Sequence, residues 1–405
     1  MPFTLLLDLD DTLLDTNLGR FVPAYFQALS GHLSRWVKPE VMLAALQSGT
    51  RLMLANQDPS FTLQEVFERE FYPKLGMTKA ELHAAIEDFY DNAFRLLSTV
   101  TRQRAGAREL VDWAQAEGHR VVVATDPLFP RKAVYERIRW AGLEPERFEL
   151  ISSYETFHFT KSHPEYYAEL LGQLGWQDGP VLMVGNDEER DLARAQELGV
   201  MTYQVHGAPA AAIASATQTR YPSRVVGRGT LLELREWLES VDLDSLVPSF
   251  GSRRAITAIL ACTPAVLQSM TASLSEEAWK HEPTPEEWSI LEIVCHLRDT
   301  EREVHRLQLN TLLEERQPFV PRPDAAVWAK QRKYLNENGP AAVAGLLTAR
   351  LELLRRIVEV SAEIWEKPAR HAIFGPTHFG EVIGFMADHD RLHIQQGWQT
   401  LHAPG

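Results

Sequence analysis

The stretch TLLLDLDDTLLD, residues 4–15, starts as an apolar run and continues into a cluster of carboxylates. A short continuous apolar run is typical of a strand buried on both faces of a parallel sheet. Open sheets of this kind bind ligands in the crevice beyond the carboxyl ends of their strands, toward which Asp8 and Asp10 would project. The alternative is purely structural, since Asp and Thr also cap turns and begin helices. The stretch predicts a first strand that ends in two carboxylates.

Further apolar runs follow the first one at intervals. They are RVVVAT (120–125), FELISS (148–153), PVLMVG (180–185) and VMTYQVH (200–206). Helix-like segments separate them, and this alternation predicts an α/β doubly wound parallel sheet. From residue 16 to 101 the pattern is only helical, which predicts a helical cap inserted into a core formed by residues 1–15 and 102–240.

The pattern changes near residue 240. Residues 241–250 are interpreted as a linker, and from residue 251 to 405 the chain offers long amphipathic segments without a further strand run. Their lengths and spacing predict a separate all-α four-helix bundle. A chain of 405 residues is long enough for two or three domains that each bury a core.

Composition narrows the class of partner. The net charge of −14 would repel a phosphate backbone, so nucleic acid is not expected as a partner. The two cysteines are too few for a disulfide framework and fit a reducing compartment. Asp8 interrupts the first apolar run too early for a signal peptide or a membrane span. We therefore expect a cytoplasmic protein without a membrane partner.

The first carboxylate pair suits phosphoryl transfer. Asp8 could attack phosphorus and form an aspartyl-phosphate, while Asp10 could protonate the leaving oxygen and later deprotonate water. Such a concentration of negative charge calls for a cation, and oxygen ligands suit Mg²⁺. These residue types predict a magnesium-dependent site at the end of the first strand.

Later strand ends carry complementary groups. Thr125 ends the second run, where its hydroxyl could hold a phosphate oxygen. Lys161, in FTKSHPEYY, follows the third run and could offset charge on the phosphoryl group. Asp187 and Asp191, in VGNDEERD, follow the fourth run and could complete the metal site. Taken singly, each residue has a structural alternative as a helix cap, a surface charge or a solvated helix start. Their joint placement at successive strand ends, which meet at one edge of a sheet, favours a common site.

Residues 1 to about 240 resemble the haloacid dehalogenase superfamily, whose four motifs occur here in order with a cap after the first. The resemblance implies that Asp8 is the nucleophile, that Asp10 is the acid and base, and that Thr125 and Lys161 are phosphoryl ligands. It also implies that Asp8, Asp10, Asp187 and Asp191 form the magnesium site. The dehalogenating members lack the second Asp of the first motif, so Asp10 implies a phosphatase for a small phosphorylated metabolite enclosed by the cap.

The chain departs from the pattern of that superfamily in three places. Ser162 follows Lys161 where a proline is usual, and Asn186 stands where many members carry the first Asp of the fourth motif. Asp126 follows Thr125 where a neutral Asn is common. Asp126 would contribute negative charge to the substrate-binding site and could weaken binding of a dianion.

The second half contains a candidate metal clamp, ADHDRLHIQQ, residues 387–396. His389 and His393 share one helix face, although 14 histidines in 405 residues give such a pair by chance about half the time. His296 on another amphipathic segment would complete an open three-histidine site, or would be a hydrogen-bonded core residue. His305 lies nine residues further, about half a turn away from His296, and is expected to face elsewhere.

Residues 251–405 resemble the DinB-like metal-binding bundles through EWS, CHLRDTE, RPDAAVWAKQRKY and HDRLH. The resemblance implies a divalent transition metal, Zn, Ni or Fe, held by His296, His389 and His393. Its wider superfamily includes thiol-dependent isomerases and thiol transferases. Cys295 points about 100° away from His296 on a helix and is interpreted as a core residue.

Three hypotheses follow. In the first, a capped magnesium-dependent phosphatase is fused to a metal-binding bundle of unassigned reaction. In the second, the first half is a degenerate binding or scaffold domain, and the bundle is a metal-dependent hydrolase or thiol transferase. In the third, the bundle is only a dimerisation element, and a homodimer through the bundle is expected.

Overall fold

The computed structural model describes residues 2–207, 225–284, 286–321, 323 and 327–403. It divides into two units, of which the first comprises Met1–Tyr167 and Asp178–Ser249. The second comprises Ala168–Gln177 and Phe250–Gly405. Part of the RPDAAVWAKQRKY segment, residues 322 and 324–326, lies outside the described residues.

The first unit is built on a six-stranded sheet in the order β5-β4-β1-β6-β7-β8, with every neighbouring pair parallel. The central position of β1 explains why its four residues are all apolar or buried. A two-stranded antiparallel ribbon, β2 with β3, joins the two chain segments that enter and leave the cap. The strands are β1 Thr4–Leu7, β2 Leu14–Asp15, β3 Arg102–Gln103, β4 Arg120–Val123, β5 Leu150–Ile151, β6 Val181–Gly185, β7 Met201–Val205 and β8 Val225–Gly229.

The sixth strand, β8, was not predicted. Its sequence VVGRG has no apolar run. Its two glycines stand where a larger residue would clash with a neighbouring side chain. A Cβ at Gly227 would lie 2.6 Å from the ring of Tyr203, and a Cβ at Gly229 would lie 2.7 Å from its hydroxyl. The parallel doubly wound sheet predicted from the sequence is otherwise confirmed.

The helices of the first unit cover the sheet and form the predicted cap. The cap has its own aromatic core, which includes Phe21, Tyr25, Phe89 and Phe94. In chain order the helices are α1 Leu18–His32, α2 Pro39–Ala55, α3 Leu63–Leu75, α4 Lys79–Asp88, α5 Ala107–Ala116, α6 Arg131–Trp140, α7 Pro164–Gln173, α8 Arg194–Leu198 and α9 Leu231–Leu238, with π segments Phe89–Ala93 and Glu188–Ala193 and 3₁₀ segments Phe94–Val100, Pro145–Arg147 and Leu243–Leu246. Of these, α7 begins in the first unit, and its residues from Ala168 onward belong to the second.

Leu246 lies in the segment that the sequence suggested as a linker, residues 241–250. Its side chain is fully buried in the core of the first unit, together with residues of α9. This part of the chain therefore packs on the sheet domain.

Four long helical stretches form the bundle of the second unit, as predicted. They are α10 (Arg253–Thr271), a composite helix from Ile290 to Glu314, α15 (Gly339–Val358) and α17 (Phe379–His402). The composite helix consists of α12 Ile290–Thr300, a π segment Glu301–His305 and α13 Arg306–Glu314, and the short elements are α11 Glu276–Lys280, α14 Trp328–Arg332, a 3₁₀ turn Tyr334–Asn336 and α16 Ala362–Trp365. Within the described part of the chain, no helix combines the length and apolar character that a membrane span needs.

A small three-stranded sheet accompanies the bundle, so the expectation of no strand after residue 251 was wrong. Its strands are β9 (Phe319–Val320), β10 (Pro368–His371) and β11 (Gly375–His378), in the order β11-β10-β9. Strands of two to four residues are too short to give a strand pattern in the sequence, and β10 and β11 also contain Gly, Pro and His in place of an apolar run.

Candidate active site and metal centre

Lys161 lies at the centre of the predicted phosphoryl site. Its side chain is buried, and its Nζ lies 2.7 Å from Asp8 Oδ1 and 2.5 Å from Asp191 Oδ1. The three residues follow β1, β5 and β6, whose carboxyl ends meet at one edge of the sheet. The structure thus brings together three of the residues that the sequence singled out.

The position of Asp191 depends on the turn after β6. Asp191 Oδ2 accepts hydrogen bonds of 3.0 Å from the backbone N–H groups of Asn186 and Asp187. A Cβ at Gly185 would lie 2.3 Å from the same oxygen, so only glycine leaves room for the carboxylate. This turn fixes Asp191 against Lys161.

The charges around Lys161 are unevenly balanced. Burial raises the pKa of Asp8 to about 7, with the carboxylates of Asp191 and Asp10 adding to the effect and Lys161 opposing it. Burial alone would lower the pKa of Lys161, but Asp191 and Asp8 raise it well above its ordinary value. Lys161 therefore stays an ammonium, while Asp8 changes between its protonated and ionised forms near neutral pH.

Asp10 has partners that sequence reasoning missed. Its Oδ1 accepts a 2.7 Å hydrogen bond from the hydroxyl of Thr16 and pairs with the guanidinium of Arg137. Arg137 is fully buried, and its guanidinium lies 4.9 Å from the ring centroid of Phe129. No sequence signal marks this arginine, because RKAVYERIRW has the pattern of an ordinary amphipathic helix.

Asp126 and Asp187 share a second missed arginine, Arg190. Its guanidinium lies 2.8 Å from Asp187 Oδ2 and 3.4 Å from Asp126 Oδ2. Asp126 also accepts a 3.2 Å hydrogen bond from the backbone N–H of Lys161. Burial raises the pKa of Asp126 despite the opposing effects of Arg190 and Lys161.

Thr125 is anchored through its backbone. Its carbonyl oxygen accepts hydrogen bonds from the Ser152 hydroxyl at 2.7 Å and from the Tyr166 hydroxyl at 2.9 Å. On the opposite side of the loop system, the Thr12 hydroxyl donates to Asn186 Oδ1 at 3.3 Å. These bonds hold the loops that follow β1, β4 and β6 in place.

The donor chemistry of this cluster fits a hard divalent cation. Five carboxyl groups, those of Asp8, Asp10, Asp126, Asp187 and Asp191, face three cationic side chains, those of Lys161, Arg137 and Arg190, so the acidic groups outnumber the cations by two. Within the described residues, no three of the four carboxylates predicted for magnesium gather ligand atoms within 4.8 Å, since each pairs with a protein cation. A hard divalent cation would match the surplus of acidic groups and the oxygen donors.

His296, His389 and His393 come together in the second unit. Ligand atoms of all three lie within 4.8 Å of one another, and Nε2 of His296 lies 3.2 Å from Nε2 of His389. His296 belongs to α12, and the other two lie one turn apart on α17. Two helices thus supply a three-histidine cluster of the predicted composition.

The environment of this cluster favours neutral imidazoles. Burial lowers the pKa of His389 well below its ordinary value, and neighbouring histidines add to the effect. Burial also lowers the pKa of His393, against the effect of its hydrogen bond to Gln396. That bond joins His393 Nδ1 to Gln396 Oε1 at 2.9 Å and leaves Nε2 for a ligand. Neutral imidazole is the metal-binding form, so the cluster fits a divalent transition metal.

His305 also lies beside the cluster, contrary to the expectation that it faces elsewhere. Its ring centroid is 5.5 Å from that of His389. The expectation assumed an unbroken α-helix after His296, whereas Glu301–His305 is a π segment whose wider turn takes up an extra residue. The inserted residue rotates His305 back toward the face of His296.

A buried ion network supports His305 and the final helix. Glu301 Oε2 lies 2.9 Å from His305 Nδ1, and Arg350 donates to both Glu301 oxygens at 2.7 and 3.0 Å. Arg350 also donates to Asp390 at 2.6 Å, next to His389 in the chain. Burial alone would raise the pKa of Glu301, but Arg350 and His305 lower it to about 2.

Cys295 is a core residue, as predicted. It is fully buried, and burial raises its thiol pKa to about 12. A protonated buried thiol is a poor ligand and a poor nucleophile.

Comparison with known families distinguishes the two halves of the chain. Residues 4–199 match the family of haloacid dehalogenase-like hydrolases, and residues 260–396 match the DinB superfamily. No curated protein matches the chain.

Several solved structures share low identity with parts of the chain. A phosphatase of the first family from Thermococcus onnurineus is 16% identical, with a TM-score of 0.37 over 59% of this chain and 98% of its own. A 2-haloacid dehalogenase from Pseudomonas syringae pv. Tomato DC3000 is 19% identical, with a TM-score of 0.42 over 59% and 99%. YfiT from Bacillus subtilis, described as a probable metal-dependent hydrolase with an unusual four-helix bundle topology, is 16% identical, with a TM-score of 0.32 over 36% and 83%. Because all three TM-scores lie below 0.5, function has to be inferred from the residues of this chain.

Proposed function

We propose that this chain, which joins a haloacid dehalogenase-like hydrolase to a DinB-superfamily domain, is a magnesium-dependent phosphatase that acts on a small phosphate ester. The observation that carries the proposal is the buried Asp8–Lys161–Asp191 cluster at the carboxyl ends of three strands. It joins a carboxylate nucleophile to a permanent positive charge in a site largely shielded from water.

Each residue of the cluster has a role in the proposed reaction. Asp8 attacks phosphorus to give an aspartyl-phosphate, and Asp10 gives its proton to the leaving alkoxide and then takes one from the hydrolytic water. Lys161 and Thr125 would hold the phosphoryl oxygens, and Mg²⁺, when bound, would supply the remaining positive charge. Thr16 and Arg137 both contact Oδ1 of Asp10, which positions the carboxyl group and leaves Oδ2 to carry the proton that is transferred.

The presence of Asp10 supports a phosphatase over a dehalogenase. An alkoxide is a poor leaving group that needs a proton, whereas a halide leaves without one. A carboxyl group two residues from the nucleophile and fixed by Thr16 at 2.7 Å is suited to give that proton.

Replacement of the nucleophile tests the proposal. Asp8→Asn in the full chain with Mg²⁺ should reduce phosphate release from a panel of small phosphate esters by a factor of at least about 10³, since the amide cannot form the intermediate. The matched control is Asp15→Asn, which removes a half-exposed carboxylate paired with Arg104 and should leave turnover unchanged. Equal turnover of Asp8→Asn and the wild type would refute the phosphatase, and an inactive wild type would favour a binding or scaffold role for this half.

A second function is proposed for the bundle, which we infer to be a metal-dependent hydrolase or thiol transferase. The three-histidine cluster of His296, His389 and His393 supports it, because three protein ligands leave positions for water or a thiol. The metal would be Zn, Ni or Fe.

Metal analysis of the full chain tests this second function. His389→Ala should lose about one equivalent of bound transition metal, because two remaining ligands bind weakly. His402→Ala is the control, since His402 lies exposed at the end of the same helix with its ring stacked on Trp398. Equal metal content in the two variants would leave the bundle as a dimerisation element, for which sedimentation of the full chain provides the direct test.

A further inference from the structure

The cap contains a cavity for which the phosphoryl chemistry gives no use. Its volume is about 140 Å³, and apolar side chains from the cap helices form most of its wall. Aromatic rings make up much of this wall, among them those of Tyr25, Phe67, Phe71 and Phe129.

The one carboxylate in the wall and two of its tyrosine hydroxyls are already paired. The hydroxyls of Tyr25 and Tyr90 lie 2.9 Å apart and share a hydrogen bond. The Glu68 carboxylate accepts from Gln64 at 2.8 Å and pairs with Lys79 at 2.7 Å. The cavity thus presents no unpaired charge to an occupant, which excludes an ionic group as its guest.

The volume of the cavity indicates the size of the guest. An apolar cavity of about 150 Å³ stays dry and binds benzene. At 140 Å³ the cap cavity holds one aromatic ring, and aromatic walls favour edge or offset contacts with such a ring.

The cavity also adjoins the proposed reaction site. Leu128, Phe129 and Pro130 line it and directly follow the loop that carries Thr125. The ring of Phe129 is in turn 4.9 Å from the guanidinium of Arg137, which pairs with Asp10. Phe129 and its loop thus connect the wall of the cavity with the residues of the proposed reaction site.

We propose that the cap cavity binds an aromatic ring of the substrate, so that the phosphatase acts on monoesters of aryl or arylalkyl alcohols. The inference rests on the proposed phosphatase function for the identity of the reaction, but ring binding is a separate property of the cavity. Polyol and sugar phosphates of the same charge would be poor substrates, because most of this wall is apolar and their hydroxyl groups would lose hydration against it.

A series of esters on the full chain with Mg²⁺ tests the substrate class. Phenyl, benzyl and 3-phenylpropyl phosphates vary the distance between ring and phosphate, and glycerol 3-phosphate is the polar reference. The best aromatic ester should exceed glycerol 3-phosphate in kcat/KM by roughly 30-fold, as expected for burying one ring. Equal kcat/KM values for the two classes would overturn the proposal.

Two variants in the wall locate the effect. Leu46→Phe fills the cavity from α2 and should lower kcat/KM for the best aromatic ester roughly 10-fold while leaving glycerol 3-phosphate unchanged. Leu52→Phe makes the same change at an exposed position of α2 and should affect neither ester. Phe67→Leu serves as the second variant if Leu46→Phe does not fold. It enlarges the cavity and should raise the ratio of naphthyl to phenyl ester turnover. An equal loss for the aromatic ester and glycerol 3-phosphate in Leu46→Phe, or an unchanged ratio in Phe67→Leu, would overturn the proposal.

A binding measurement separates this inference from the phosphatase itself. If the wild type hydrolyses none of the esters, the proposed function fails, and calorimetric titration with p-cresol decides the role of the cavity. The wild type and Leu52→Phe should bind p-cresol, and Leu46→Phe should bind it roughly 10-fold more weakly. Absence of binding by the wild type, or equal binding by all three proteins, would overturn ring binding in the cap.

Discussion

Both units bury one cation between two carboxylates, and they use it differently. In the first unit Lys161 lies between Asp8 and Asp191, and in the second Arg350 lies between Glu301 and Asp390. The pKa of Asp8 is raised to about 7, whereas the pKa of Glu301 is lowered to about 2. The same arrangement thus gives one poised carboxylate and one firmly ionised carboxylate.

The difference follows from the cation and from what surrounds it. Arg350 donates directed hydrogen bonds to Glu301, Asp390 and the carbonyl of Leu260, so every nitrogen of its guanidinium group is used. Lys161 is a single point charge with further carboxylates close by, and it cannot offset them all. A buried carboxylate that accepts directed hydrogen bonds on both oxygens, as Glu301 does, supports the fold. A cluster of carboxylates around a single lysine is prepared for a cation or a phosphoryl group.

The largest effect is expected when the cluster of Arg350, Glu301 and Asp390 is broken. Arg350→Leu leaves two buried carboxylates without their cation and should lower the free energy of unfolding of the second unit by about 3–5 kcal/mol. Urea unfolding of the full chain measures this loss. Arg355→Leu, at an exposed position of the same helix, should change the free energy of unfolding by less than about 0.5 kcal/mol. Similar values for the two variants would show that Arg350 is not the centre of the network.

Acid should weaken the same cluster by a somewhat smaller amount. The folded pKa of Glu301, about 2, lies below its ordinary value of 4.5, so its ionisation stabilises the fold above pH 4.5. That stability is lost as the pH falls from 4.5 toward 2, and integration gives about 3 kcal/mol. The stability difference between the wild type and Glu301→Gln should therefore shrink as urea unfolding is repeated from pH 6 to pH 3. A difference that does not vary with pH would contradict this linkage.

The site residues that could be predicted from the sequence are those whose positions follow from the topology of the backbone. Asp8, Lys161 and Asp191 each come after a strand of one parallel sheet, so recognising the strands was enough to bring these residues together. His389 and His393 share a helix face by their spacing alone.

Other parts of both sites depend on packing that no local pattern encodes. Arg137 lies against the ring of Phe21, which belongs to the cap, and the ring of Phe129, which precedes α6, while its own helix has an ordinary pattern. His305 turns toward His389 because of one π segment. A π turn differs from an α turn by one inserted residue, and hydrophobic periodicity does not reveal so small a difference.

The smallest effect concerns Asp126, the carboxylate that departs most clearly from the pattern of the family. Asp126→Asn removes one negative charge beside Lys161 and should lower KM for a dianionic ester roughly 3- to 10-fold, because less repulsion opposes binding. The amide keeps an oxygen for the backbone N–H of Lys161, so kcat should change little. Steady-state kinetics at low ionic strength measure the effect, with Asp112→Asn at a half-exposed position as the control. A higher KM in Asp126→Asn would contradict this expectation. It would mean that the Asp126–Arg190 pair orders the loop after Thr125, and that repulsion by Asp126 does not limit substrate binding.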